Sequence, residues 1–487
     1  MFIIMVVIFV MGYSAIALEH PLKVNKAAPA LLTGMILWAL YALFNEQILE
    51  LGFSPAFKAA QEMAANIKDY IASNVNEEHF KHLWEELSVL TTNSPEHGHY
   101  MEFVKHDLGH HLNDIAQILF FLLGAMTIVE TVDRYQGFRL ITDKIKTTNP
   151  AKLAWILGFI TFFMSAALDN LTSTIVMIAL LRKLVDGKDL RWLYASIIVI
   201  AANSGGAWSP IGDVTTIMLW IGGNITAGKI IAGVFLPSLV SMVVPLIFVS
   251  FMLKGKEIVR PVKPEGIEAN FTSNKERTFM LVLGVSALLF VPIFKTITHL
   301  PPYIGMLFGL GMVWLATEII LRRHQDRKRG GLSVLKILEH VDVPTIFFFL
   351  GILMAVAALQ SAGHLDLLAK WLDKSTGQNV YIIDTLIGIL SSIVDNVPLV
   401  ASAMGMYPIT DIGHFAQDGL FWELLAFTAG TGGSMLIIGS AAGVAAMGLE
   451  KIDFIWYAKK ITWLAAVGYF AGIAVYYVQE VLFHING

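Results

Sequence analysis

The stretch SAALDNLTST, Ser165 to Thr174, sets an Asp-Asn pair inside an apolar run, and SSIVDNVPLV, Ser391 to Val400, does so again 226 residues further on. The first pair interrupts the run Ala151 to Leu184 at its centre. That run is too long for one crossing of a bilayer, since roughly 30 Å of hydrocarbon is spanned by about 20 helical residues. Its ends are both basic, with Lys152 on one side and Arg182, Lys183, Lys188 and Arg191 on the other. Positive charge favours the cytoplasm, so both ends are expected there. The run reads as a re-entrant helical hairpin over 151–184, with Asp169-Asn170 at its tip near the bilayer midplane. The second run, Gly377 to Tyr407, breaks at Asp395-Asn396 and leads past Asp411 and Asp418, meeting no Lys or Arg until Lys451. It reads as a hairpin over 377–407 that enters from the opposite side.

The rest of the 487 residues agrees with a membrane setting. Charged residues are 15% and apolar residues 56%, against about a quarter charged in soluble domains. Ten runs read as spans, at 2–18, 27–44, 114–132, 192–221, 230–253, 278–298, 303–321, 344–362, 421–447 and 461–482. The first has no positive residue ahead of it and is followed by Glu19, so it reads as a span and not a cleaved leader. Basic residues gather in alternate connections, including Arg134 and Arg139, Lys254 to Arg277, and Arg322 to Lys336. These are expected inside, which puts the acidic segment 45–112 and both termini outside. A net charge of −4 and the absence of a basic tract give no sign of a nucleic-acid partner, and zero cysteines exclude disulfide and thiol chemistry.

The two halves share more than the Asp-Asn pair. FFLLGAM (Phe120 to Met126) matches FFFLGIL (Phe347 to Leu353), and NSGG (Asn203 to Gly206) matches GTGG (Gly430 to Gly433), at offsets of 226 or 227. Each half holds five spans and one hairpin. Because five is odd, the second half is expected upside down relative to the first, as in many secondary transporters. The expected fold is therefore an all-α integral membrane protein with an inverted-topology repeat: a first repeat over 1–253, a cytoplasmic linker over 254–277 and a second repeat over 278–487.

Irregular backbone at membrane depth survives only where it is buried in protein or lines a cavity. Four such breaks are expected: the two hairpin tips, NSGGAWSPIGDVTT within a broken helix over 192–221, and GTGGSMLIIGS within another over 421–447. Where they meet, carbonyls and side-chain oxygens would offer the surroundings a hard cation needs. Asp169 and Asp395 are the leading candidates, because a carboxylate at the bilayer centre is costly and marks ion pathways. A plainer reading makes each an N-cap, but Asn170 and Asn396 would cap as well without the charge. Asp213, after Pro210, is a third candidate. Ser165, Thr172, Ser173, Thr174, Asn203, Ser204, Thr215, Thr216, Ser391, Ser392 and Thr431 are auxiliary ligands, or else ordinary helix-to-helix glue. A buried carboxylate can hold either a proton or a cation, so one site can serve two competing ions.

Glu130 and Asp133 stand where a cation would approach, or are simply helix-end acids, and Asp342 reads as an acid favouring a helix N-terminus. The outer segment carries His79, His82, His97, His99, His106, His110 and His111. These read as solvated histidines, with a metal site or pH sensor as the sharper alternative; His106 and His110 share a face if that stretch is helical.

GAMTIVETVDRYQGFRLIT (Gly124 to Thr142), SAALDNLTSTIVMIALLRKL, NSGGAWSPIGDVTT, SSIVDNVPLVA and EHPLKVNKAAPALLTG (Glu19 to Gly34) together resemble the NhaD-type sodium/proton antiporters of the ion transporter superfamily. The resemblance covers nearly the whole chain except the segment near Phe53 to Gly109. It implies export of Na+ or Li+ against H+ in a bacterial inner membrane, and a homodimer whose scaffold carries a mobile transport domain. It also implies functional roles for Asp169, Asn170, Asp213, Asp395 and Asn396. No cofactor is expected beyond the transported ions, and the partners are Na+, Li+, H+ and the lipid bilayer. In the related divalent anion/sodium symporters the tips resemble Ser-Asn-Thr. Two Asp-Asn tips would repel a dicarboxylate, which favours an ion-only exchanger. The rival is an ion-coupled carrier of an organic anion or metalloid, for which the four breaks offer no Arg or Lys; a channel suits paired hairpins less well. Nothing in the membrane part reads as an enzyme's triad, phosphate loop or metal-ligand cluster.

Overall fold

The structure, a computed structural model, describes residues 1–17, 24–61, 98–138, 140, 145, 147–259, 272–323 and 332–483. The expected outer segment from 62 to 97, with His79, His82 and His97, and the linker residues 260–271 lie outside the described residues. The main helices are α1 (Phe2–Ala17), α2 (Ala27–Leu43), α3 (Gly98–Arg134), α4 (Pro150–Leu168), α5 (Asn170–Leu184), α6 (Lys188–Ala207), α7 (Val214–Ile221), α8 (Ala227–Met252) and α9 (Asn274–Thr298). They continue with α10 (Pro302–Arg323), α11 (Val343–Ser361), α12 (His364–Thr376), α13 (Val380–Leu390), α14 (Asn396–Met406), α15 (Leu420–Gly432), α16 (Ala441–Glu450) and α17 (Thr462–Phe483). No strand occurs among the described residues, and seven helices, α3, α4, α8, α9, α10, α11 and α17, are long and apolar enough to cross a membrane. The chain is a multi-pass membrane protein. Phe279, Val282, Leu289 and Ile293 on α9, and Phe308, Met312 and Leu315 on α10, face outward, which only an apolar solvent accommodates.

One difference from the sequence reading is the start of the third span. The apolar run begins at Asp114, but α3 begins at Gly98, because helix geometry continues through polar turns that hydropathy ignores. His106, His110 and His111 are therefore helical. His110 lies 3.3 Å from Asp114 and His111 3.7 Å from Asp107, so among the described residues these histidines stand in pairs with single carboxylates and not in a set of three metal-ligating side chains.

The chain divides into two compact units. The first comprises 1–116, 343–378 and 401–408. Its centre is the pair α2 and α11, where the stripe Ala27, Ala30, Gly34, Leu37, Trp38 and Tyr41 recurs at helical spacing and is buried. Small residues let the backbones touch, as membrane helices favour. A Cβ on Gly34 would lie 2.5 Å from the carbonyl oxygen of Gly351. Trp38 Nε1 donates to the Met354 carbonyl at 2.8 Å, holding the register.

The second unit comprises 117–342, 379–400 and 409–487. At its centre are α6, buried on every side from Trp192 to Ala207, and α15, buried along its whole length. A helix apolar all round has no solvent face and must sit inside a bundle. α4 packs on α6, α13 on α15, and α8 on α17. The run at 151–184 forms α4 and α5, joined at Asp169 and packed on one another. Residues 208–213 separate α6 from α7, and 433–440 separate α15 from α16.

Candidate ion-binding site

All the side chains of the site belong to the second unit. Asp169 joins α4 to α5 with φ 143° and ψ 164°, a conformation L residues rarely adopt and one that costs about 1–3 kcal/mol. Its Oδ1 accepts from the Thr172 amide at 2.7 Å, and its Oδ2 from Thr172 Oγ at 2.7 Å. The N-cap that the plainer reading offered is therefore real for Asp169. Asp395 accepts from the Val397 amide at 3.2 Å ahead of α14. Both Asp side chains are half-buried, whereas Asn170 and Asn396 beside them are buried.

The amides meet at Asp213, which is 1% exposed and caps α7 through the Thr215 amide at 3.3 Å. Asn170 Nδ2 donates to Asp213 Oδ2 at 3.0 Å, and Asn396 Nδ2 to the same oxygen at 3.2 Å. Asn170 also donates to Asn203 Oδ1 at 3.1 Å. Asn203 in turn donates to Ser434 Oγ and Ser440 Oγ, each at 2.9 Å. Asp169 and Asp395 adjoin Asn170 and Asn396 in the chain, so the three carboxylates stand on neighbouring breaks. Gly430 lies over the central one, its Cβ position being 3.6 Å from Asp213 Oδ2.

The remaining oxygens divide into two groups. Ser165 Oγ donates to the Ala202 carbonyl, Ser391 Oγ to Ala429, Ser392 Oγ to Ile389, Thr216 Oγ to Asp213 and Thr431 Oγ to Phe427, so these hydroxyls hold backbone together. Ser204 Oγ accepts from Ser241. By contrast Ser173 Oγ, Thr174 Oγ and Thr215 Oγ are buried and have no hydrogen-bond partner among the described residues. Leaving a buried hydroxyl unmet costs about 1–3 kcal/mol, and a bound cation would remove that cost. Glu130 is not in this cluster; it pairs with Arg134 at 2.8 Å on α3, and Asp133 is exposed.

Ser434 and Ser440 escaped the sequence reading, although an offset of 227 from Asp213 leads to Ser440. The backbone is the same at both, φ −145° and ψ 147° at Asp213 against φ −144° and ψ 154° at Ser440, and each caps the helix that follows. Other pairs repeat at 226 or 227. A Cβ on Gly205 would lie 2.2 Å from the Phe162 carbonyl oxygen, and one on Gly432 would lie 2.0 Å from that of Gly388. Ser165 with Ala202 and Ser391 with Ala429 make the same bond.

A bundle of apolar helices around a buried acidic, amide-lined cluster is the arrangement of a membrane transport protein. Residues 7–432 match the family described as Citrate transporter (CitMHS), and the chain belongs to that family. It is 50% identical to sodium/proton antiporter 1 of Arabidopsis thaliana over 76% of this chain and 63% of that protein, and 47% identical to sodium/proton antiporter 2 of the same organism over 77% and 88%. It is 32% identical to the Na(+)/H(+) antiporter NhaD of Alkalimonas amylolytica, over 77% of this chain and 80% of that protein. The resemblance to NhaD-type proteins therefore holds. The match spans under two thirds of the first plant relative's length.

Proposed function

We propose that the protein is a sodium/proton antiporter, exporting Na+ or Li+ in exchange for H+ at a site built on Asp213, Asp169 and Asp395. The observation that carries this reading is the convergence of Asn170 and Asn396 on Asp213. The two amides fix the carboxylate without neutralising it, and Asp169 and Asp395 beside those amides bring two more acidic groups. Such a cluster is stable only when something positive is bound, either a cation or protons. Ser173, Thr174 and Thr215 supply oxygens for a cation, and Asp169 and Asp395 can trade their caps for it. Occupancy by Na+ then excludes protons and the reverse, so exchange follows if only loaded forms cross the membrane. The names of the relatives support the same reading.

The matched geometry at Asp213 and Ser440, and at Gly205 and Gly432, supports an inverted repeat over 1–253 and 278–487. In this reading the hairpins and broken helices move together as an elevator, and their tips lie near the midplane. A homodimer in a bacterial inner membrane, with both termini outside, completes the proposal.

The family's description as citrate transporters gives the rival reading, in which an organic anion is carried and a cation only coupled. Three carboxylates around the cluster repel such a substrate. Proteoliposomes holding a pH dye test the choice, with pulses of Na+, Li+, K+ and choline and no other solute. Proton movement on Na+ or Li+ alone is the expected result. Movement only after citrate or another anion is added would overturn the antiporter reading.

A further inference from the structure

We propose that Asp384 is a second proton-binding carboxyl of the transport cycle, separate from the cluster at Asp213; this rests on the antiporter reading. Asp384 lies in the middle of α13 and is 0% exposed. Neither Oδ1 nor Oδ2 has a hydrogen-bond partner among the described residues. The side chain neither caps a helix nor pairs with a base, so no structural bond accounts for it. An apolar residue of similar size would pack there at lower cost.

The surroundings select a proton over a metal ion. The buried face of α13 is Val380, Ile383, Asp384, Ile387 and Gly388, which offers no second carboxylate. A hard cation needs about six oxygens, whereas a proton needs only the carboxyl itself. Gly388 stands one turn on, and its Cβ position is 2.2 Å from Tyr469 Oη and 2.7 Å from the Thr428 carbonyl oxygen. Tyr469, on α17, sets its hydroxyl against this face, where it donates to the Thr385 carbonyl at 3.0 Å. From α15, Glu423 accepts from Tyr476 at 3.0 Å. Asp384 is about two turns, roughly 10 Å, from the break at Ser391, near enough for its charge to influence the tip. The residue 226 positions earlier is Gly158, so the two halves differ here.

The test uses the full chain in proteoliposomes and a null-point assay, in which the Na+ gradient that just stops proton movement gives the number of H+ exchanged per Na+. Asp384→Asn is expected to keep Na+ flux but to move one proton fewer per transport event, while Asp213→Asn loses both fluxes. An unchanged ratio in Asp384→Asn overturns the proposal. So does complete loss of Na+ flux in the folded variant, which would make Asp384 part of the shared site. The wild-type chain supplies a measurement independent of folding of the variant. Dicyclohexylcarbodiimide adds to protonated carboxyls in apolar surroundings, and its adduct on the Asp384 peptide, read by mass spectrometry, is expected to decline as pH rises through the transport range. No adduct, or one independent of pH, overturns the proposal. If the wild-type chain moves no protons on Na+ pulses, the antiporter reading fails, and the carbodiimide titration still decides whether Asp384 exchanges a proton.

Discussion

Asn396 Nδ2 lies 3.2 Å from Asp213 Oδ2, joining residues 183 positions apart in the chain. Asn170 donates to the same oxygen from the first half. The acid that receives both amides is thus not one of the two Asp-Asn acids but the one at the end of the break between α6 and α7.

Asp213→Asn is expected to abolish exchange and leave the fold intact. Asn caps a helix as well as Asp does, so α7 keeps its start. Removing the charge costs cation binding about 3 kcal/mol or more, a factor of about 100. Flux in proteoliposomes, together with thermal unfolding in detergent, checks both halves of this expectation.

Asn170→Ala and Asn396→Ala each remove a donor to one carboxylate oxygen. A hydrogen bond to a charged group is worth about 1.5–3 kcal/mol, so each variant should weaken apparent Na+ affinity by about tenfold or more. The two effects should not add, because both act through Asp213. A double-mutant cycle on the KM for Na+ that shows strict additivity would separate the two amides.

Competition fixes the sign of the pH dependence. If one proton must leave for one cation to bind, the apparent KM for Na+ rises as pH falls, by about tenfold per pH unit once the site is protonated, and levels off at high pH. Maximal rate at saturating Na+ should change much less. A KM independent of pH, with only the maximal rate affected, would place the proton elsewhere.

Gly205→Ala and Gly432→Ala should both destabilise the second unit, by about 1–3 kcal/mol or more. Each new Cβ would meet backbone, the Phe162 carbonyl in one case and the Gly388 carbonyl in the other, and backbone cannot turn away. Gly448→Ala meets nothing within 4 Å and serves as the control. Unfolding temperatures of the three variants check this.

Glu450 ties α16 to the first half of the second unit. Arg182 Nε lies 2.6 Å from its Oε1, Arg191 Nε 2.9 Å from its Oε2, and Trp192 Nε1 donates to its carbonyl at 3.0 Å. Replacing both arginines by Gln leaves a buried carboxylate without its partners and should cost about 3–5 kcal/mol. Glu450→Gln should cost less, since Arg182 is about half exposed and can turn to water. Chemical unfolding of the second unit is the measurement.

By itself the sequence determined what depends on neighbours along the chain. Hydropathy gave the apolar helices, because burying a helix in hydrocarbon is a sum over some twenty consecutive residues. The Asp-Asn pairs marked the helix breaks at 169 and 395, because Asp and Asn cap locally, and the 227 offset tied NSGG to GTGG. Polar turns from 98 to 113 carry no hydropathy signal for the same local reason, although α3 runs through them. What tertiary structure decided is which oxygen faces which. Asn203 reaches Ser434 and Ser440 across more than 230 residues, and Ser165, Ser391 and Thr431 turn out to bond backbone, whereas Thr215 does not. Asp384 is the sharpest case. VYIIDTLIGIL reads as an apolar helix with one acid, and only the packing of α13 against α15 decides that this acid is sealed from solvent. Hydrogen bonds and burial are set by distances between elements, and spacing along one element does not contain them.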